Sequence, residues 1–350
     1  MLVKKKTRVL IVDDSILFRT TLSKRLEEDA FFEVIGTASD AMEAMEKIKE
    51  LRPDVVTLDV EMPRMSGIEF LKKLMPLYPT PVVVVSSAPI TTLNALDAGA
   101  VDFVKKPVVS SPNDLNQFIR ELIVKLKIAS VARVGQKKAL TAAPAEAKPA
   151  AHPALTRTIN DMVIAIGAST GGTDAILAVV RDLPPTTPGI VVVQHMPPVF
   201  TRMYAERLNN VCRMAVKEAE HGDRVEAGKI IIAAGEFHLQ LAKDAQGYFV
   251  KSQRGEKVSG HCPSVDVLFE SVAQTAGARS VGVILTGMGA DGAKGLLQMK
   301  KMGAYTIGQD KESCVVYGMP MVAFNIGGVT RQLPLDQIGD EILRHLNTVK

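Results

Sequence analysis

Apolar residues in this chain fall in short dense runs, separated by stretches where they recur every three or four positions. Residues 8–12 are such a run, closed by Asp13-Asp14-Ser15, and Phe18, Leu22 and Leu26 follow at helical spacing. Residues 32–36 make a second run. Ala41, Ala44, Met45, Ile48 and Leu51 then share one helix face before Pro53. Further runs at 54–58, 82–85 and 101–104 end at Asp59, at Ser86-Ser87 and at Lys105-Lys106-Pro107, and a helix over 115–126 completes the unit. Dense runs alternating with helical stretches predict a parallel sheet wound with helices on both faces.

After residue 126 the pattern lapses. Residues 139–153 are rich in Ala and Pro with no apolar period, which predicts a tether over 127–157 whose early part prolongs the preceding helix. The rhythm resumes with a run over 162–167, closed by Gly167-Ala-Ser169-Thr-Gly171-Gly172. A helical stretch (Ala175, Ile176, Val179, Val180) leads on to Pro184. Strands are expected at 190–193, 229–235, 281–285 and 305–307, with helices at 296–302 and 338–346. Residues 240–241 and 248–250 read as a short hairpin around 244–247, within an antiparallel excursion over about 236–252. The expected domains are therefore 1–126 and 158–350, joined by 127–157.

The length of 350 residues supports two domains with proper cores. A net charge of +4 is too slight to argue for nucleic acid or a membrane surface. Three scattered cysteines suggest neither a disulfide framework nor a metal cluster, and a reducing cytoplasm is the expected home. No apolar run reads as a signal peptide or a membrane span.

In the first domain Asp13, Asp14, Asp59, Ser86 and Lys106 all follow strand ends, the edge where open α/β sheets bind ligands. Three carboxylates gathered there need a cation, and hard oxygens suit Mg²⁺. A carboxylate also serves as a phosphoryl acceptor. Singly, Asp13-Asp14 would equally cap a helix and Asp59 begin a turn. Together, Val-Asp13-Asp14-Ser, Asp59-Val-Glu-Met-Pro-Arg-Met-Ser-Gly67, Ser86 and Lys106-Pro107 resemble a response-regulator receiver over about 7–125. The resemblance implies a flavodoxin-like sheet with Asp59 as phospho-acceptor. It implies Mg²⁺ held by Asp13, Asp14, Asp59 and the Glu61 carbonyl, with Ser86, Lys106 and Phe103 as the switch. A histidine kinase would be the phosphodonor.

In the second domain Ser169 stands on a tight strand-to-helix turn with the spacing Gly167-x-Ser169-x-Gly171. Alone, that turn would also serve to cradle a phosphate, or be only a turn. His195 and Asp291 follow two other expected strands, so a hydroxyl, an imidazole and a carboxylate reach one sheet edge: a candidate triad. His221, His238, His261 and His345 follow no clear buried strand. The order Ser, His, Asp differs from the Ser, Asp, His of α/β-hydrolases.

The stretches Gly-Ala-Ser169-Thr-Gly-Gly, Gln-His195-Met-Pro, Phe200-Thr-Arg202, Pro263-Ser-Val-Asp-Val-Leu-Phe269, Leu285-Thr-Gly-Met288-Gly-Ala-Asp291-Gly and Val316-Tyr-Gly-Met-Pro320 resemble the chemotaxis protein-glutamate methylesterases, the CheB family. They span about 160–325. Ile231-Ile-Ala-Ala234-Gly235 departs from that family, which more usually has Tyr and Pro there. The resemblance implies a Rossmann-like methylesterase domain that demethylates, and deamidates, methyl-accepting chemoreceptors. Ser169 would be nucleophile, His195 base and acid, and Asp291 its orienter. Amides near Thr170 and Met288 would receive the oxyanion, and Arg202 would meet the receptor. No cofactor is expected for the hydrolysis, no nucleic acid or membrane insertion, and a monomer. The unphosphorylated receiver is expected to cover the Ser169 cleft. Rival readings are a DNA-binding regulator, a nucleotide-binding module and a Cys314 nucleophile. The first lacks a basic recognition helix in the sequence, and Cys314 sits beside Val315 and Val316, which suits a packed thiol.

Overall fold

The computed structural model describes residues 5–107, 112–135 and 161–349. The chain divides by its contacts into two units, between Leu140 and Thr141. Of the expected tether, residues 136–157 lie outside the described residues.

The first unit runs β1 (Thr7–Val12), α1 (Ile16–Glu27), β2 (Phe32–Ala38), α2 (Ala41–Leu51), β3 (Val55–Asp59), α3 (Gly67–Leu77), β4 (Val82–Ser86), α4 (Pro89–Asp97), β5 (Asp102–Lys105) and α5 (Pro112–Ala129). The strands are parallel in the order β2-β1-β3-β4-β5. Val82 to Val85 are buried, as β-branched runs in a sheet covered on both faces should be. Local chemistry sets the helix starts. Asp40 accepts from Met42 N and Glu43 N to begin α2, and Ser66 with Glu69 forms a capping box on α3. Strand order reverses between β1 and β3, which brings Asp13 beside Asp59 across that seam.

The second unit runs β6 (Val163–Ala168), α6 (Gly172–Val180), β7 (Gly189–Gln194), α7 (Phe200–Val211), β8 (Ala215–Glu218), β9 (Lys229–Ile232), β10 (Phe237–Asp244), β11 (Gly247–Arg254), α8 (Val265–Thr275), β12 (Ser280–Ile284), α9 (Ala293–Lys301), β13 (Tyr305–Gln309), α10 (Met319–Asn325), β14 (Arg331–Leu333) and α11 (Leu335–Thr348). Seven parallel strands take the order β14-β13-β12-β6-β7-β9-β8. Here the order reverses between β6 and β12, so the crevice opens where β6 ends.

One detail differs from expectation. β9 stops at Ile232 rather than Gly235. Gly235 there turns against the chain after β7, where a Cβ would lie 2.3 Å from Pro198 N. The hairpin, by contrast, pairs Phe237↔Arg254 through to Asp244↔Gly247, close to the expected excursion over 236–252. Its inner face packs on α8. Leu241 N donates to Ser271 Oγ at 2.9 Å, and Thr275 Oγ1 donates to Leu241 O at 3.1 Å. No helix among the described residues is long and apolar enough to cross a membrane.

α8 is pressed between the hairpin and the main sheet. Phe269 is fully buried in one cluster with Leu239, Val250, Ile284 and Leu296. Phe269→Ala is expected to cost about 3–5 kcal/mol, by lost transfer energy plus a cavity. Guanidinium unfolding of the full chain should show the second unit's transition at lower denaturant, with that of the first unit unmoved.

Candidate active site and phosphorylation site

Ser169 is the first residue after β6, at the seam where strand order reverses. The turn closes tightly: Gly172 N donates to Ser169 O at 2.7 Å, and Ser169 N donates to Thr286 O at 3.0 Å. Ser169 itself has an ordinary backbone. The left-handed residue is Gly171 at φ 76°, immediately before α6. The turn is therefore not an elbow strained at the serine, in keeping with a chain order foreign to α/β-hydrolases. A glycine is required opposite it, because a Cβ on Gly287 would lie 2.7 Å from Ser169 Cβ and 2.4 Å from Met319 Sδ.

His195 follows the neighbouring strand β7, and the two turns are tied together. His195 N donates to Ala168 O at 3.3 Å, and Gln194 Nε2 donates to Ser169 O at 2.9 Å. On the imidazole, Nε2 meets Asp291 Oδ2 at 2.8 Å. A carboxylate accepts, so Nε2 carries the hydrogen and Nδ1 keeps a free lone pair. That Nδ1 is buried and makes no hydrogen bond. Among the described residues Ser169 Oγ makes none either, so the Asp–His arm is closed and the Ser–His arm is open. Catalytic hydrogen bonds often tighten only when substrate is present.

Asp291 lies just before α9, where an aspartate reads as a helix cap. The cap of α9 is Gly292, without any side-chain bond. Asp291 instead sits on the N-terminus of α8. Its Oδ1 accepts from Ser264 Oγ at 2.7 Å and Asp266 N at 3.0 Å, and its Oδ2 accepts from Val265 N at 2.8 Å as well as from His195. Burial alone would raise the carboxyl's pKa. The His195 bond and charge, with the amides of Asp266 and Val265, outweigh it and hold the group below its ordinary value. The 263–269 stretch thus has a local purpose: it supplies the seat for this carboxylate.

The other histidines separate by contact. His238 Nε2 donates to Glu256 O, and its Nδ1 accepts from Ser264 N, so it buttresses the cap that holds Asp291. His261 lies face to face on His195, with centroids 3.7 Å apart and planes 5° apart. Sequence reasoning missed it, since His261 follows no strand and lies on a polar turn with no periodicity. Thr170 is buried behind Ser169, and its carbonyl accepts from Thr286 Oγ1 at 3.0 Å. Met288 lies on the exposed loop past Gly287. Arg202 makes no hydrogen bond to Ser169, His195 or Asp291 among the described residues. It is exposed on α7, with Nε 3.9 Å from Glu206 Oε1.

Residues 164–342 match the family model described as CheB methylesterase. A protein of Syntrophomonas wolfei named protein-glutamate methylesterase/protein-glutamine glutaminase 2 is 54% identical over 343 residues, covering 98% of each chain. A Salmonella typhimurium protein named protein-glutamate methylesterase/protein-glutamine glutaminase is 47% identical, covering 98% of this chain and 97% of its own. The chain belongs to the CheB methylesterase family. The crystal structure of the Thermotoga maritima CheB methylesterase catalytic domain is 38% identical. It superposes on 53% of this chain and all of its own at a TM-score of 0.52. Residues 9–120 match the response regulator receiver model.

In this CheB-family receiver, Asp13 and Asp59 are buried and Asp14 is exposed, with one oxygen of each within 4.8 Å of the others. Lys106 Nζ bridges Asp13 Oδ2 at 2.7 Å and Asp59 Oδ2 at 2.5 Å. Three converging hard oxygens, more than one ammonium neutralises, fit a small divalent cation. Burial lowers the Lys106 pKa, but its bonds to Asp13 and Asp59 outweigh that and raise it. Ser86 Oγ does not reach Asp59. It accepts from Ala88 N at 3.2 Å and lies 3.4 Å from Thr91 Oγ1. Phe103 is buried, with Lys125 Nζ 4.9 Å over its ring.

Burial raises the Asp13 pKa above 3.8, and Lys106 offsets this only in part. The folded receiver therefore holds that proton more tightly than the unfolded chain does. The charged group costs stability at neutral pH, and the cost fades as pH falls through the raised value toward 3.8. Asp13→Asn, in EDTA, is expected to unfold at a higher temperature than wild type at pH 7. Its advantage should shrink as pH is lowered toward 4. The same variant should take up less phosphate from a small phosphodonor.

Proposed function

We propose that the second unit is a serine hydrolase acting on γ-glutamyl methyl esters and glutamine side-chain amides of proteins, in line with the relatives' names, and that its substrates are methyl-accepting chemoreceptors. One observation carries this reading. A buried imidazole is donated to a fully occupied carboxylate on one edge and bears an unused lone pair on the other, one turn from a serine. Ser169 Oγ attacks the ester carbonyl while its proton passes to His195 Nδ1. Asp291 keeps Nε2 protonated and stabilises the imidazolium. Backbone amides near Thr170 and Met288 receive the oxyanion. The C–O bond to the methoxy group then breaks, and His195 returns the proton so that methanol leaves. Water attacks the acyl-enzyme by the same route, releasing glutamate and restoring Ser169. With a glutamine substrate, ammonia leaves in the first half. Arg202, exposed on α7, would meet an acidic receptor helix.

Ser169→Ala is expected to lower methanol release from methylated receptor by at least ~10³-fold. Equal release by wild type and variant would end the proposal.

The receiver supplies regulation. A chemotaxis histidine kinase would phosphorylate Asp59, adding up to one further negative charge and three acceptor oxygens. Mg²⁺, held by Asp13, Asp14, Asp59 and the Glu61 carbonyl, would neutralise charge during transfer. Ser86 and Lys106 then turn to the phosphoryl group, and Phe103 repacks. In the unphosphorylated state the receiver restrains the hydrolase. The chain would act in the cytoplasm as a monomer, with no part for nucleic acid. Acetyl phosphate with Mg²⁺ is expected to raise the full chain's methylesterase rate several-fold while leaving Asp59→Asn unchanged. An equal response from both would show that Asp59 is not the switch.

A further inference from the structure

His195, His261 and Asp291 bring ligand atoms within 4.8 Å of one another, which at first resembles a metal set. The ring geometry argues otherwise. Imidazole lone pairs lie in their ring planes, and these planes are nearly parallel with centroids 3.7 Å apart. One ion cannot lie in both planes at ~2.1 Å from each ring. Two of the nitrogens are also spent as donors, His195 Nε2 to Asp291 and His261 Nδ1 to Ser259 O at 2.9 Å. The arrangement stacks one imidazole on the face of the other.

The turn that carries His261 is built with some effort. Val258 and His261 exchange both backbone hydrogen bonds at 3.0 Å, enclosing Ser259 and Gly260. Both central residues are left-handed, at φ 52° and 85°. A non-glycine residue rarely holds that conformation unless its surroundings compel it. Ser259 is held from two sides. Its Oγ donates to Asp266 Oδ2 at 3.2 Å, and its carbonyl accepts from the His261 ring. Asp266 is buried on the first turn of α8, the helix whose N-terminus holds Asp291, and its Oδ1 accepts from Gly295 N at 2.9 Å. One helix start therefore fixes the imidazole twice, in its plane through Asp291 and on its face through Ser259 and His261.

We propose that His261 is a positioning residue for the hydrolysis: anchored through Ser259 to Asp266, it covers the face of His195 and keeps that ring at the angle from which Nδ1 reaches Ser169. This rests on the reading of His195 as general base. Uncharged stacking suits the task, because two protonated rings at this distance would repel. Burial first, then the adjoining His195, pushes the His261 pKa down to about 4, so it stays neutral at working pH. The charged and titratable groups facing it are His195, Asp291 and Lys257, with Asp266 behind Ser259.

The test uses the full chain with methylated receptor, comparing His261→Ala, His261→Phe, Ser259→Ala and His195→Ala. His261→Ala is expected to lower kcat about 10- to 100-fold with KM within about threefold, the signature of lost orientation rather than lost binding. The acid limb of its pH profile should move to higher pH, because a re-wetted imidazole protonates more readily. His261→Phe, which keeps a flat neutral face, should recover most of the rate and return the limb. Ser259→Ala should act in the same direction as His261→Ala, more weakly, and it decides the matter should His261→Ala fail to fold. An unchanged kcat and acid limb in His261→Ala would overturn the proposal, as would His261→Phe being as slow as His261→Ala. Full activity in His195→Ala would instead sink the reading of His195 as base.

Discussion

The second unit is arranged around one negative charge out of reach of water. Moving a carboxylate from solvent into a protein interior costs several kcal/mol. Asp291 offsets this with four donors, two on each oxygen. Hydrogen bonds to charged groups contribute about 1.5–3 kcal/mol each, so four together match or exceed the penalty. The lowered pKa of the group has the same origin. Those donors come from the cap and first turn of α8 and from the end of β7, while Asp291 itself belongs to the loop after β12. Satisfying one carboxylate thus locks three separate parts of the chain into register. The seating of His195 against Asp291 follows from this electrostatic necessity.

The receiver gathers carboxylates at the same kind of sheet edge but neutralises them differently. Lys106 is a single charge on a flexible stem, partly exposed, bridging two buried aspartates. Helix amides are fixed dipoles and cannot leave, whereas a lysine can be displaced or drawn to a new anion. The first device suits a site that must stay unchanged through every turnover. The second suits a site whose purpose is to change. Both lie where strand order reverses, because only there do adjacent connections leave the sheet toward opposite faces and open a crevice.

How much could be read in advance follows from where burial leaves its mark. Parallel strands covered on both faces must be apolar throughout, so residues 9–12, 82–85, 163–168 and 190–193 declare themselves, and so do the polar residues that end them. Asp13, Asp59, Ser169 and His195 were legible for that reason. Asp291 was legible as a position but not in its partners, since its local context mimics a cap for α9. His261 was hidden. Its place depends on a left-handed turn and on contacts from residues 66 positions earlier and 30 later, which no periodicity encodes. Helix α3 had a readable start in Ser66 and Glu69, a capping box that the apolar pattern alone does not use.

The histidine at the centre of the site has few ways left to move. Asp291 holds one edge, His261 covers one face, and the backbone before it is hydrogen-bonded to β6. The remaining edge carries a dry lone pair with no partner. Leaving such an acceptor unmade costs about 1–3 kcal/mol. A ring free to turn would relieve that cost by finding a donor. The ring stays because its other contacts outweigh the loss. Of the hydrogen bonds this ring could make, the one on its Nδ1 edge is the one left open.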